Sequence, residues 1–140
     1  MLVSFHIDGK PIPQGSVVAH VRNGKASIHY AQGSGLAVWR NMVTAAARDS
    51  WGDGPPTGLP CQVAITFRMK RPRSHYADLQ GTLRRSAIAE KPAVTPDLDK
   101  LVRAILDALT GVVWRDDSQV CQIYASKEYD HTPGVDITVS

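Results

Sequence analysis

The sequence predicts an α/β domain, with α+β as the other form it allows: a mixed β-sheet packed with two main helices. Three observations carry this. Apolar and polar residues alternate at Val3–Ile7 and Gln62–Met69, the period of half-buried strands. Two segments, Leu36–Ser50 and Leu98–Thr110, instead repeat their apolar residues every three or four positions, the helical period. The chain has 140 residues, 43% hydrophobic and 21% charged, which suits one domain over 1–140 with a full core. The pattern leaves parallel and antiparallel pairing open.

Val3, Phe5 and Ile7 alternate with Ser4, His6 and Asp8 in the first strand. Gly9–Gly15 holds Pro11 and Pro13 and is a turn or loop. Ser16–His20 and Ala26–Tyr30 flank Asn23-Gly24, a pair that tolerates the positive φ of a tight hairpin. In the first helix Leu36, Trp39, Met42, Val43, Ala46 and Ala47 form the apolar face, Ser34 is the candidate cap and Gly52 the stop. Gly52–Gly58 is a loop, and Val63, Ile65, Phe67 and Met69 mark the next strand. Lys70–Ala93 has little periodicity, many charges and two prolines; a connection this long is functional or disordered, and 70–93 is expected to be a flexible basic loop. The second helix is the strongest signal. Leu98, Leu101, Val102, Ile105, Leu106 and Leu109 share one face, and Gly111 ends it. Strands near Val120–Lys127 and Val135–Val139 complete the order.

No apolar run is long enough to span a bilayer, and Met1 leads directly into a strand, so a cytoplasmic protein without a membrane partner is expected. Cys61 and Cys121 have no metal-ligand spacing and are expected to be free, mostly buried thiols. The net charge of +3 says little. Its distribution says more: Arg68–Lys91 holds seven basic and two acidic residues, while the remainder holds nine basic and eleven acidic. Positive charge gathered apart from the carboxylates suits a polyanion held beside an acidic metal site, although charge alone slightly favours a solvated basic loop.

The chemistry lies between Thr95 and Ser118. Asp97 and Asp99 open the strong helix, where free N–H groups and the helix dipole favour negative charge. That accounts for one carboxylate well, but not for the Asp116-Asp117 pair beyond Trp114. If the apolar Val112-Val113-Trp114 segment returns along the helix, three or four carboxylates converge. Such a cluster is costly without a cation, and Mg2+ fits its hard oxygen donors. A metal so held activates water for attack on phosphorus. Arg103, four residues after Asp99, either steadies developing phosphoryl charge or joins an i,i+4 ladder with Asp99 and Asp107; the spacing favours the ladder.

The string PDLDKLVRAILDALTGVVWRDDSQV, Pro96–Val120, resembles the signature of the RusA family of Holliday junction resolvases. It has an Asp-x-Asp pair opening a helix, then Asp107-Ala108-Leu109, then Asp-Asp after an aromatic-containing turn. FHIDGKPIPQ at Phe5–Gln14, and Lys127-Glu128-Tyr129 with Pro133-Gly134-Val135, extend the likeness over most of the chain. The resemblance implies an intertwined homodimer, dependent on Mg2+ (Mn2+ as substitute), that nicks four-way DNA junctions in pairs and is encoded by bacteria or prophages. Its metal-binding and catalytic carboxylates would be Asp97, Asp99 and Asp117, with Asp116 accessory. Arg103 stands where the family pattern has lysine, and Lys100 where it has asparagine. Lys70, Arg71, Arg73, Arg84, Arg85, Lys91 and Lys100 would meet DNA. Two other readings are a junction-binding protein with little or no cleavage, and a general or flap-type nuclease.

Overall fold

The computed structural model describes residues 2–15, 17–22, 24–30 and 35–140, with 17–22 and 25–30 described through their backbone. Ser16, Asn23 at the expected hairpin turn and Ser34 as the expected helix cap lie outside the described residues. Among the described residues there are six strands: β1 (Val3–Asp8), β2 (Val17–Arg22), β3 (Lys25–Tyr30), β4 (Cys61–Lys70), β5 (Val120–Asp130) and β6 (Gly134–Val139). The helices are α1 (Gly35–Trp51), α2 (Arg85–Ile88) and α3 (Leu98–Leu109).

β2 and β3 form an antiparallel hairpin, and the other strands form a mixed sheet in the order β1-β6-β4-β5. The α/β expectation holds, and the pairing the sequence left open is now fixed. β6 runs antiparallel to both β1 and β4, while β4 and β5 are parallel. Parallel neighbours need a crossover, and α3 lies within the one between β4 and β5. Registers align the apolar alternation into rows. Val3, Val139 and Val63 form one, Phe5, Ile137 and Ile65 the next, then Ile7, Val135 and Phe67. Nearly all of these are buried, and with Leu36, Trp39, Val43 and Ala47 of α1 and Leu101, Ala104, Ile105 and Leu109 of α3 they make one core. Thr44 Oγ1 donates to Ala108 O (2.9 Å), tying α1 to α3.

Arg68 fixes one end of the sheet. Its guanidinium donates to Thr132 O (2.7 Å) and to Asp8 Oδ1 (3.0 Å). Gly134 sits beside it, where an added Cβ would overlap the Ile7 carbonyl and the Arg68 guanidinium.

Two expectations need correction. Met42 is 41% exposed at the margin of the α1 face rather than within it. Both cysteines are free, but only Cys61 is buried, because Cys121 lies on the edge strand β5. Residues 70–93 carry local structure: a 3-10 turn covers Arg73–His75, Tyr76 bridges to Leu83, and α2 follows. Asp78 Oδ1 accepts from Gln80 N and Thr82 N, closing the turn at its tip. Arg71 donates to Ala87 O (2.8 Å) and lies 5.0 Å above the Tyr129 ring, which also meets the edge of His75. No helix among the described residues is long and apolar enough to cross a membrane.

Candidate active site

α3 is amphipathic, so burying Leu101 and Ile105 against the sheet turns its polar face outward. Asp97 occupies the N-cap position with extended backbone, but its side chain makes no cap bond. The approach to the helix is held by β5: Lys127 Nζ donates to Val94 O (2.7 Å) and Pro96 O (2.9 Å). On the other side Gln14 N donates to Lys100 O (3.0 Å), fastening the loop after β1 to the first turn of α3.

Beyond α3 the chain is anchored by Trp114. Its indole is fully buried and donates to Thr110 Oγ1 (3.0 Å). Asp116 then caps the short 3-10 turn Asp117–Gln119, accepting from Ser118 N (2.9 Å), while Gln119 Oε1 accepts from Asp116 N (3.0 Å). The Gln119 amide also donates to Thr57 O and Leu59 O, each at 2.9 Å. The carboxylate of Asp116 is thus engaged in local structure, and Asp117 is turned to the α3 side.

Asp99, Arg103 and Asp107, spaced four residues apart on α3, line one cleft of about 340 Å3 together with Asp117 and Gln14. The return after Gly111 is shorter than the sequence suggests. The Asp107 charge reaches Asp117, whereas Asp99 lies two turns, about 12 Å of helix rise, nearer the N-terminus. Among the described residues no three His, Cys, Asp or Glu side chains stand in direct metal-holding geometry. The expected ladder does not form either: among the described residues Arg103 has no ion pair, Asp99 pairs with Lys100 (3.0 Å), and Asp107 accepts from the Gln14 amide.

The charges are tuned in opposite directions. The Lys100 ammonium holds the Asp99 carboxyl below the usual range. Amide donation from Ser118 does the same for Asp116. Asp117 is pushed up, first by loss of water, then by the adjoining Asp116 and by Asp107.

Asp97 faces a neighbouring, larger cleft of about 860 Å3, whose wall includes Lys10, Lys70, Arg71 and Lys100. Three of the seven cations expected to meet DNA therefore gather beside the acidic end of α3. The others do not. Arg73 and Arg84 line a separate hollow with Tyr76, Arg85 is exposed on α2, and Lys91 pairs with Glu128 (2.6 Å). Sequence reasoning missed Gln14, which sits in a proline-rich loop without periodicity, and left Asp107 as a ladder partner. The four-residue spacing from Asp99 through Arg103 to Asp107 was the available signal for the latter.

Mg2+ takes one or two protein carboxylates and fills its remaining positions with water and phosphate oxygens. A solvent-open cleft with Asp99, Asp107 and Asp117 on its walls suits that habit, and so does an Asp117 whose charge is opposed by its carboxylate neighbours.

The family model for endodeoxyribonuclease RusA matches residues 8–140. The chain is also 27% identical over 141 residues to the uncharacterized protein YqaN of Bacillus subtilis (strain 168), covering 98% of this chain and 94% of that protein. The chain belongs to the RusA endodeoxyribonuclease family.

Proposed function

We propose, from membership of the RusA endodeoxyribonuclease family, that this protein is a Mg2+-dependent nuclease that resolves four-way DNA junctions by paired nicks. The observation that carries the reading is the placement of Asp99 and Asp117 on one cleft, beside a second cleft lined by Asp97 and four cations. Asp117 would hold the ion directly and Asp99, two turns before Asp107 on α3, through bound water, with Asp97 serving from the adjoining wall and Asp116 holding the turn that presents Asp117. When bound, the ion supplies a more acidic water for attack and a positive charge at the leaving oxygen. The chain's own part is positioning. Lys70, Arg71 and Lys100 offer phosphate contacts that set the strand against the carboxylates, and Arg103 offers a guanidinium with no carboxylate partner among the described residues.

Paired nicks call for two sites related by two-fold symmetry, which a homodimer supplies. β5 is an edge strand with Ile123 and Tyr124 exposed at 45% and 59%, a surface a second copy can cover. Light scattering during size exclusion measures that state.

The function is tested by cleavage of a four-way junction against matched duplex and flap substrates in Mg2+, with Mn2+ in parallel. The junction is expected to be cut selectively, while Asp97→Asn and Asp117→Asn bind it without cutting. Equal rates on all substrates would replace the resolvase reading with a general nuclease. Binding without cleavage by the unmodified protein would make it a junction-binding protein.

A further inference from the structure

We propose that Asp107 joins Asp117 as a ligand of the divalent cation, and that Gln14 is the positioning residue that holds the Asp107 carboxylate in place. This rests on reading the cleft as a metal site and adds two residues to it, one on α3 and one on the loop after β1.

Gln14 is only 2% exposed, and among the described residues it is the one buried polar side chain. Its Nε2 donates to Asp107 Oδ2, while its Oε1 has no hydrogen-bond partner among the described residues. Only the NH2 end of an amide can donate to a carboxylate, so this bond fixes which way the group points. The orphaned oxygen is then built in, at a cost that a methionine or leucine of similar size would not carry. Gln14 is therefore poorly explained as packing, and it lines the same cleft as Asp99, Asp107 and Asp117.

Asp107 itself lacks the partner its position invites. Arg103 is one turn away but not paired with it, and the neutral amide is its hydrogen-bond partner among the described residues. A half-buried carboxylate served only by a neutral donor, opposite a second carboxylate, retains oxygens for a cation. The Gln14 backbone bond to Lys100 O (3.0 Å) ties its loop to α3 near Asp99, so the amide is aimed from a fixed base. Partners of this kind, which orient a ligating carboxylate, commonly change metal affinity by about 10–100-fold when removed.

The test measures Mn2+ binding to the full chain without DNA, by calorimetry and by the electron paramagnetic resonance of the bound ion. Metal-free melting temperatures follow the fold. Asp107→Asn, which can still bond to Gln14 through its new carbonyl, should weaken Mn2+ by about tenfold or more. Gln14→Met should weaken it by about tenfold, with a metal-free melting temperature equal to or above that of the unmodified protein. Should that variant not fold, Gln14→Glu keeps the shape and sets a carboxylate beside Asp107. It should then shift Mn2+ affinity by about fivefold or more. Affinities within about twofold of wild type in these variants, with Asp117→Asn losing Mn2+, would overturn the proposal and leave the metal site standing. If Asp117→Asn also binds Mn2+ like wild type, the metal-site reading fails and this proposal with it.

Discussion

Lys127 offers the most direct test of how the sheet positions the carboxylates. Its half-buried ammonium donates to Pro96 O, the carbonyl immediately before Asp97, and to Val94 O two residues earlier. Lys127→Met keeps the length of the side chain and removes both bonds. A hydrogen bond to a charged group contributes about 1.5–3 kcal/mol. Water can replace the exposed contact to Val94 but reaches the part-buried Pro96 carbonyl less well. The expected loss is therefore about 2 kcal/mol, below the sum for two such bonds. For a domain of this size that lowers the melting temperature by about 6–10 °C, read by scanning calorimetry without metal. Freed at this end, the start of α3 shifts against the substrate, and displacements near 1 Å cost on the order of 100-fold in rate. Junction cleavage should show kcat down by about tenfold or more with KM nearly unchanged, since no DNA contact is removed. Lys127→Arg, whose planar fork can still reach one carbonyl, should recover part of both losses. A Lys127→Met protein that melts and cuts like wild type would refute the idea that β5 places the Asp97–Asp99 turn.

Gly134→Ala forces a Cβ into the Ile7 carbonyl and the Arg68 guanidinium, so unfolding in urea should show a loss of about 3 kcal/mol or more. For Asp117 the folded pKa is raised, so at neutral pH its charge opposes folding in the metal-free protein. Metal-free stability should fall as pH rises from the ordinary carboxylate value through the raised one, and Asp117→Asn should lack that step. Urea melts from about pH 4 to pH 7 read the difference, and parallel curves for the two proteins would contradict it. Neutralising Lys70, Arg73 and Arg85 together, sparing Arg71 and Arg84 for their bonds to Ala87 O and Ser74 O, should flatten the dependence of junction affinity on salt. Each lost phosphate contact lowers the log–log slope by about 0.9, and an unchanged slope would return these cations to a solvated surface.

Much of the architecture was legible because periodicity reports burial directly. The α3 face from Leu98 to Leu109 and the alternation of Val63, Ile65 and Phe67 both appear where the sequence places them. Asp99 and Asp117 both line one cleft, with Asp99 two turns of α3 away from Asp107. What stayed hidden depends on contacts with no local period. Strand order is set by which registers align apolar rows, and a single strand pattern carries no record of its neighbours. The order within 70–93 comes from single contacts such as the Arg71 bond to Ala87 O and the edge-to-face packing of His75 on Tyr129, which leave no repeat to detect. The pairing of Asp99 with Lys100 rather than Arg103 is likewise a choice among rotamers, which spacing does not determine.

The strand order also sets when the nuclease can exist. β6, at Gly134–Val139, lies between β1 and β4, so neither of those strands gains its shared neighbour until β6 has left the ribosome. The bond from Gln14 to Asp107 spans 93 positions and depends on the same closure, because β1 leads into the Gln14 loop. Pairing over such separations forms late, after local helices and turns. A growing chain can therefore carry every one of its aspartates and still have no assembled cleft. The cleft is assembled only once β6 has joined β1 to β4.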